Sequence, residues 1–305
     1  MVSEAKTFPG EWRKASTGYR YFLPASLFLS QNLALPVGLL GQLEKTGIAL
    51  GRFSSLIDRL PNPQHFIYAY TCHEATLSSR IEGTQTQIQD AFMEQEDVAL
   101  ERRDDWSEVQ AYIRALQQAT AQHRDLSLSN RLIKQTHATL LDQVRGRHKS
   151  PGSFRKSQNW IGGSNPNNAH FVPPATEHVA DLMSDLEKFI HDDQSRMPHL
   201  IKAALIHYQF ETIHPFSDGN GRIGRMLISL YLLEKEVLRH PVLYVSQFFE
   251  QHRRNYYDAL DRGRQSEEGA ILWISFFLDA VRQTADNGIA AVSYTHLTLP
   301  TILLV

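Results

Sequence analysis

The sequence predicts an all-α fold, a helical bundle that carries one small β-hairpin. Apolar residues recur with the three- and four-residue spacing of α-helices in three stripes, within 43–60, 182–190 and 271–281. One segment, 158–174, breaks this pattern with two short apolar pieces around a centre rich in Gly, Asn and Pro. That arrangement is typical of a hairpin. We therefore expect one isolated hairpin on a helical core.

Length and composition indicate one large or two modest domains. The chain has 305 residues, of which 42% are hydrophobic, enough to form a sizeable core. A polar stretch at 101–105 is the predicted boundary between a helical N-terminal region, residues 1–104, and a core region, residues 105–288. The remaining residues, 289–305, form an atypical tail that ends in an apolar run without helical period. We expect this tail to be non-native sequence with no function of its own.

Charge and cysteine content exclude several classes of protein. Lys and Arg number 31 against 33 Asp and Glu, for a net charge of −2, which argues against a protein whose main partner is nucleic acid. The lone Cys72 cannot form an internal disulfide, and it is expected to be a core residue. Neither a signal peptide nor an apolar run long enough for a membrane is visible, so we expect a soluble cytoplasmic protein.

The stretch 214–225 concentrates groups suited to phosphate chemistry. Helical spacing on both sides predicts a loop between two helices, the second of which begins near Asn220. Gly219, Asn220 and Gly221 at that start can aim backbone N–H groups at an anion, aided by the helix dipole. Arg222 and Arg225 lie three residues apart, so their guanidiniums can grip phosphate oxygens from neighbouring positions. These features predict a polyphosphate site.

Two further residues of this stretch suit a reaction at that phosphate. Asp218 offers the hard oxygen ligand that Mg²⁺ prefers beside nucleotide oxygens. His214, four residues earlier, is neutral at cell pH if its pKa is ordinary, and it can accept a proton from an attacking hydroxyl. Each residue alone is more often structural than catalytic. Their occurrence together in a workable order favours a nucleotide site.

Two other motif interpretations fail on context. The spacing of Gly219, Gly221 and Gly224 matches the dinucleotide-binding fingerprint, but a helix and not a strand precedes it, and no acid follows at the required distance. The pair His73 and Glu74 lacks the second histidine of a metalloprotease motif, and there is no cysteine cluster. We therefore reject a Rossmann domain and a zinc hydrolase.

The string from His214 to Arg225 resembles in full the signature of Fic proteins, H-x-F-x-D/E-G-N-G-R-x-x-R. The resemblance implies a Fic-type helical bundle with a β-hairpin flap over the active site. It implies transfer of AMP from Mg·ATP to a Ser, Thr or Tyr hydroxyl of a protein, with ATP as substrate and Mg²⁺ as cofactor. The resemblance implies that His214 is the base, Phe216 an apolar anchor and Asp218 the metal ligand. It also implies that Gly219 to Gly221 cradle the phosphates and that Arg222 and Arg225 clamp them. Because this sequence has Gly221 where phosphate-transferring relatives have lysine, AMP transfer is favoured.

A second motif, 78–83, lies at the end of a helix that is predicted to begin near Gln64 and to stop at Gly83. Alone, Glu82 reads as a surface acid. Beside the first motif it resembles the inhibitory segment S/T-x-x-x-E-G/N of autoinhibited Fic proteins, in which the glutamate pairs with the second arginine of the signature, here Arg225. Further likeness at 59–63 and 81–86 points to a bacterial subset with an N-terminal extension. Such proteins usually continue into a winged-helix domain, which this sequence lacks.

The resemblance also places the hairpin over the nucleotide. It implies that Trp160, Ile161, Gly162 and Gly163 contact ATP, and an open hairpin edge can receive an extended target segment by strand addition. The alternative is a plain surface loop that carries Trp160 into the core. Tyr257 or Tyr256 is predicted to line the adenine pocket by stacking, or to pack against Trp273.

Three functions compete at this point. The first is autoinhibited AMP transfer to a target hydroxyl, with self-modification as an accompanying reaction. The second, in the same fold, is transfer of another nucleotide-derived group, or removal of AMP by a water that Glu82 positions. The third is a catalytically silent module that senses nucleotide or binds a partner. The intact His214 and Asp218 argue against the third.

Overall fold

The structure, a computed structural model, describes residues 8–142 and 144–302. It confirms a mostly helical fold with a small antiparallel hairpin, although the hairpin lies at an unexpected place. Ten α-helices lie in the described residues: α1 Val37–Ile57, α2 Pro63–Ile81, α3 Arg103–Leu126, α4 Asn130–Leu140, α5 Thr176–Ile190, α6 His199–Ile213, α7 Asn220–Glu234, α8 Ser246–Gln251, α9 Arg253–Gly263 and α10 Glu267–Ile302. None of them is both long enough and apolar enough to cross a membrane within those residues.

Helices α6 and α7 form the centre of the molecule. Every residue of α6 from Leu200 to Ile213 is buried, because α5, α7 and α10 cover different sides of it. Its sequence is apolar around most of its circumference, as a fully enclosed helix requires. Several of its polar residues have partners inside: the Nδ1 of His207, for example, donates to the carbonyl oxygen of Gly224 on α7 at 2.8 Å. The loop between α6 and α7 is therefore held on a rigid base.

Helix α2 packs directly against this centre. It contacts α3, α7 and α8, and its residues Cys72 and Ile81 belong to the same apolar core as Leu227 of α7. Cys72 is buried, in agreement with the predicted core role. Helix α3 begins at Arg103, so the predicted boundary at 105 falls inside a helix. One apolar core therefore runs across that boundary.

The two-stranded sheet lies near the N-terminus, where the sequence analysis expected only helix. Strands β1 Gly10–Lys14 and β2 Arg20–Pro24 pair antiparallel, with Gly10 opposite Pro24. The segment 158–174 does fold back on itself, but its pairing is a single bridge between Ile161 and Phe171. The backbone N–H of Phe22 on β2 donates to the carbonyl oxygen of Val172 at 2.9 Å, so the sheet supports the base of this segment. A lone two-residue pairing is too weak to stand by itself, which is why it depends on β2.

Helices α8 and α9 meet at His252, where the backbone leaves helical angles. One expectation about the C-terminal part was wrong. The tail was expected to lack helical structure from residue 292, but α10 continues to Ile302. Extending an existing helix needs no new nucleation, so weak periodicity is no barrier to it. Residues 303–305 lie outside the described residues.

Candidate active site

The loop 214–219 is shaped by two backbone positions of left-handed conformation. His214 ends α6 at φ 51°, and Gly219 precedes α7 at φ 75°. Between them, Asn220 closes the loop with its side chain: its Oδ1 accepts from the N–H of Phe216, and its Nδ2 donates to the carbonyl oxygen of the same residue, both at 2.8 Å. These bonds hold the loop across the start of α7, a role that the sequence did not indicate for Asn220.

Phe216 anchors the loop from below. Its ring is fully buried and stacks on the imidazole of His137 at 3.7 Å between ring centres. The Nδ1 of His137 accepts from the N–H of Gly152, so its Nε2 carries the proton and donates to the carbonyl oxygen of Asp218 at 3.0 Å. Burial lowers the pKa of His137 to about 4, which keeps it neutral. The ring of Phe216 is thus held by a histidine that no sequence motif indicated.

The entrance to α7 combines a carboxylate with a buried guanidinium. Oδ1 of Asp218 accepts from the N–H of Gly219 at 2.6 Å and lies 3.3 Å from the guanidinium of Arg222. The Asp218 side chain remains 40% exposed, so one face of it is open to a ligand. Arg222 also pairs with Glu108 of α3 at 3.2 Å. The first-turn N–H groups of a helix lack intrahelical partners, which makes this entrance suited to an anion.

Arg225 lies about one turn further along α7 and makes three hydrogen bonds. Its guanidinium contacts Glu82 Oε1 at 2.7 Å, Ser78 Oγ at 2.8 Å and the Ser78 carbonyl oxygen at 2.9 Å. The arginine side chain is 1% exposed and the glutamate side chain 36%. Burial alone raises the pKa of Glu82, but the charge of Arg225 outweighs it and holds that pKa below its ordinary value. Glu82 is therefore a carboxylate bound to the guanidinium at neutral pH.

The carboxylate of Glu82 also lies against Gly221. A Cβ atom at this glycine would come within 2.1 Å of Glu82 Oε1. The glutamate thus occupies space directly over the glycine-rich start of α7. Helix α2 ends at Ile81, and Gly83 follows Glu82 at φ 106°, the left-handed stop predicted from sequence. This stop fixes where the carboxylate emerges.

The flap, residues 158–174, lies beside the loop and is tied to it by two side chains. The Nδ2 of Asn159 donates to the carbonyl oxygens of Phe216 at 3.1 Å and His214 at 3.3 Å. The buried guanidinium of Arg155 donates to the carbonyl oxygens of His214 at 2.9 Å and Pro174 at 2.5 Å. The four residues predicted to contact the nucleotide, 160–163, follow Asn159 directly. Trp160 is 39% exposed, and Gly162 and Gly163 both have a φ of 69°. The alternative of a core tryptophan is wrong.

The two tyrosines that were candidates for stacking on adenine, Tyr256 and Tyr257, differ in burial. Tyr256 is buried, lies 6.1 Å from the ring of Trp273 and donates its hydroxyl to Nε2 of His207 at 2.9 Å. It is therefore a core residue. Tyr257 is 38% exposed, and its pKa is raised by burial and by the charge of Glu82. Of the two tyrosines, only Tyr257 presents an accessible ring near the Glu82–Arg225 pair.

The structure gathers most of the predicted site residues but leaves a gap. His214, Phe216, Asp218, Arg222 and Arg225 lie on one loop and helix, and Glu82 is bound to them. In the described part of the chain, no hydrogen bond or ring contact joins residues 160–163 to that loop. A further set of residues in the site was missed by the sequence analysis: Ser78 as an arginine ligand, Glu108, His137, Arg155, Asn159 and Glu211. Of these, Glu211 had a readable signal, since it lies three residues before His214 on the same helix end.

Comparison with known proteins agrees with this geometry. The family model described as Fic/DOC family matches residues 127–232, and the model of the Fic/DOC family N-terminal region matches residues 40–121. The chain belongs to the Fic/DOC family. The two matched segments meet between 121 and 127, at the end of α3, rather than at the boundary predicted near 105. Both the loop with α7 and the helix that carries Glu82 lie inside matched segments of this family.

Named relatives and solved structures of this family extend the comparison. A protein adenylyltransferase Fic from Aedes aegypti is 35% identical over 144 residues, covering 47% of this chain and 26% of that protein. One from Drosophila mojavensis is 31% identical over 183 residues, covering 56% and 33%. The chain therefore spans about a quarter to a third of the length of these curated relatives.

The solved structures support the fold. A Fic family protein from Desulfovibrio desulfuricans superposes with a TM-score of 0.69 at 21% identity, covering 85% of this chain and 76% of that one. Fic-1 from C. elegans superposes with a TM-score of 0.61 at 17% identity, covering 84% and 73%. At these identities the likeness shows the Fic fold.

Proposed function

We propose that the protein is an autoinhibited protein adenylyltransferase, which transfers AMP from Mg·ATP to a Ser, Thr or Tyr hydroxyl of a protein target. The observation that carries the proposal is the 2.7 Å contact between Glu82 and Arg225, made on a complete phosphate-binding loop and helix start. The adenylyltransferase names of the relatives support the same reaction. The open edge of the flap suits an extended target segment, and the chain itself is a second substrate. The single buried thiol agrees with a cytoplasmic location.

The donor set fits magnesium. The described residues contain no group of three or more His, Cys, Asp or Glu side chains that could hold a metal ion by themselves. Asp218 presents a partly exposed carboxylate at the entrance of α7 that is not occupied by Arg225. Mg²⁺ commonly takes one or two carboxylates and completes its shell with phosphate oxygens and water. When bound, it would neutralise charge on the phosphates.

The chain's own residues account for the rest of the reaction. The free N–H groups at the start of α7 and the guanidiniums of Arg222 and Arg225 would orient the triphosphate, since such transfer depends mainly on alignment and charge stabilisation. His214 would accept the hydroxyl proton. Burial lowers the pKa of His214 to about 4, so its imidazole is neutral and ready to accept that proton at neutral pH. The tyrosine ring of Tyr257 would stack on the adenine.

Inhibition follows from competition for one guanidinium. While the carboxylate of Glu82 occupies Arg225 and covers Gly221, the outer phosphates cannot take the same place. A coupling free energy of about 1 to 3 kcal/mol would correspond to roughly 5- to 150-fold inhibition. Removing the carboxylate should therefore activate the enzyme without any change in the catalytic loop.

The test compares wild type, Glu82→Gly and the double variant Glu82→Gly/His214→Ala by intact mass after exposure to Mg·ATP. We expect Glu82→Gly to gain the mass of adenylyl groups roughly 5- to 150-fold faster than wild type. The double variant should bind ATP as well as Glu82→Gly does but transfer AMP about 10² to 10⁴ times more slowly, because only the base is missing. A gain of phosphate mass, or equal labelling in all three proteins, would contradict the proposal.

A further inference from the structure

A buried carboxylate lies next to His214 and has no role in the mechanism above. Glu211 occupies the last turn of α6 and is 7% exposed, and its Oε1 has no hydrogen-bond partner among the described residues. Gly224 of α7 makes room for it, because a Cβ atom there would lie 2.3 Å from that oxygen. An unpaired buried acid is costly, so its presence calls for a functional reason.

Glu211 faces the imidazole of His214 from two directions. The left-handed backbone of His214 brings its ring back towards α6, where Nδ1 lies 3.4 Å from the Glu211 carbonyl oxygen and 3.9 Å from the carboxylate Oε2. A carbonyl oxygen only accepts hydrogen bonds, so the proton of the neutral ring belongs on Nδ1. Nε2 then carries the lone pair that can take a proton from a substrate hydroxyl.

We propose that Glu211 is the positioning residue of His214, and that its carboxylate stabilises the imidazolium that forms during AMP transfer. The inference rests on the proposed function. In that step the hydroxyl proton moves to Nε2 while the hydroxyl oxygen bonds to the α-phosphorus. The bond from that phosphorus to the bridging oxygen breaks, and pyrophosphate leaves with the electron pair. The positive charge then present on the ring lies at ion-pair distance from Glu211.

The surroundings of the pair define its dependence on pH. Five nearby groups interact electrostatically with Glu211 or His214: Arg225 from α7, Glu82 from the end of α2, Arg264 after α9, Arg155 before the flap and the phenol of Tyr256. Burial raises the pKa of Glu211 to about 7 and lowers that of His214 to about 4. As pH rises through 7, the carboxyl of Glu211 therefore ionises beside a ring that is already neutral. Transfer should accelerate over that interval because the imidazolium gains its counter-charge.

The kinetic test compares Glu82→Gly with Glu82→Gly/Glu211→Gln in single-turnover transfer of AMP from α-labelled ATP across the neutral pH range. We expect the first variant to show a rise at or below pH 7, because the lost charge of Glu82 is one of the causes that raise the pKa of Glu211. The second should lack this rise and reach a plateau about tenfold lower, the equivalent of one pKa unit of stabilisation, with unchanged affinity for ATP. The matched control is Glu74→Gln in the same background, since Glu74 is also a buried acid whose pKa is raised by burial to about 7 but contacts Ser246 and Tyr112 instead. The control should keep the rise.

A second measurement does not depend on enzymatic activity. In protein with ¹³C-labelled glutamate carboxyls, Glu211→Gln should remove one resonance that titrates near pH 7, and His214→Ala should move its midpoint upward because the carboxylate loses the facing N–H. An unchanged midpoint in His214→Ala would overturn the inference, as would a neutral-pH rise that survives in Glu211→Gln. If Glu82→Gly transfers no AMP at all, the proposed function fails, while the resonance still reports whether the two groups are coupled.

Discussion

At the scale of single residues, the site depends on glycines that let charged groups approach backbone. Gly221 and Gly224 lie on one face of α7, and each is covered by a carboxylate, from Glu82 and Glu211 respectively. From the sequence, Gly221 is predicted to belong to a phosphate cradle, and Gly224 has no assigned role. In the folded protein they are also the two places where acids from other segments reach the start of α7.

We predict that Gly224→Ala destabilises the protein by about 1 to 3 kcal/mol, because the new methyl group overlaps the Glu211 carboxylate and touches Phe210. The natural control is Gly47→Ala in the middle of α1, where a Cβ atom meets nothing within 4 Å. That change should stabilise the helix by about 0.5 to 1 kcal/mol. Urea unfolding of both variants measures the difference; equal effects would show that Glu211 does not fill the space beside Gly224.

At the same scale, the sequence identified most of the residues that bind the proposed substrate but few of those that hold them in place. His214, Asp218, Arg222 and Arg225 are local to one motif, so their spacing alone reveals them. His137 stacks on Phe216 and donates to the carbonyl oxygen of Asp218, which lies 81 residues later in the chain. No local pattern marks such a contact, because its two partners meet only after α4 packs beside the loop.

At the scale of elements, Arg155 connects the catalytic loop to the flap. It donates to the carbonyl oxygens of His214 and Pro174, and its own N–H donates to the carbonyl oxygen of Pro215 at 2.9 Å. Burial lowers its pKa to about 10, so it stays cationic at neutral pH. One side chain thereby joins the end of α6 to the last residue of the flap.

Replacing Arg155 with Ala should lower the free energy of unfolding by about 1 to 3 kcal/mol for each buried carbonyl group left without a donor. In the Glu82→Gly background it should also slow AMP transfer, since the position of His214 is no longer fixed. Arg155→Lys keeps the charge but not the planar fork, so we expect an intermediate loss. Thermal melting and label transfer are the two readouts. Full activity in Arg155→Ala would mean that Asn159 alone holds the flap to the loop.

The elements themselves were predicted unevenly. Long amphipathic helices such as α5 and the stop of α2 at Gly83 follow from apolar spacing and from a left-handed glycine. The sheet of β1 and β2 was missed because its strands are five residues each, too short for a periodic signal to stand out. The flap was recognised by its turn residues, yet its pairing is one bridge supported by β2, which no property of the flap sequence could indicate.

At the scale of the whole molecule, the central fact is that α2 and α7 lie side by side. The contact of Glu82 with Arg225 joins positions 143 residues apart, and both helices share one apolar core. The carboxylate that we propose to be inhibitory is therefore part of the fold and not a separate arm. Under that proposal, relief of inhibition would require a change at the end of α2, since the arginine is buried and held by Ser78 as well.

The buried acid Glu74 of α2 should make stability depend on pH. It accepts from the hydroxyls of Ser246 and Tyr112, yet burial raises its pKa from 4.5 to about 7. A raised folded-state pKa contributes stability that is present below pH 4.5 and is lost as pH rises through 7. Relative to Glu74→Gln, the wild type should thus lose up to about 3 kcal/mol of unfolding free energy over this interval.

Urea unfolding at several pH values checks this difference between Glu74→Gln and wild type. The exposed Glu44 of α1 supplies the control: Glu44→Gln alters only a surface side chain, so it should change the free energy of unfolding by less than about 0.5 kcal/mol. If the Glu74→Gln curve were parallel to that of wild type, the carboxyl of Glu74 would titrate as it does in the unfolded chain. Buried histidines such as His207, whose pKa burial lowers to about 3, contribute with the opposite sign but cancel in the comparison.

The sequence by itself determined the loop between two helices, the glycine-rich start of α7 and the family to which the chain belongs. All of these are set by residues within a few positions of one another, where spacing translates directly into geometry. The pairing of Glu82 with Arg225 was implied by the resemblance to the family and is observed in the structure. Only the tertiary structure decided that Tyr257 and not Tyr256 is accessible and that Glu211 faces His214. These depend on which helices bury which faces, and burial is a property of the assembled core rather than of any local segment.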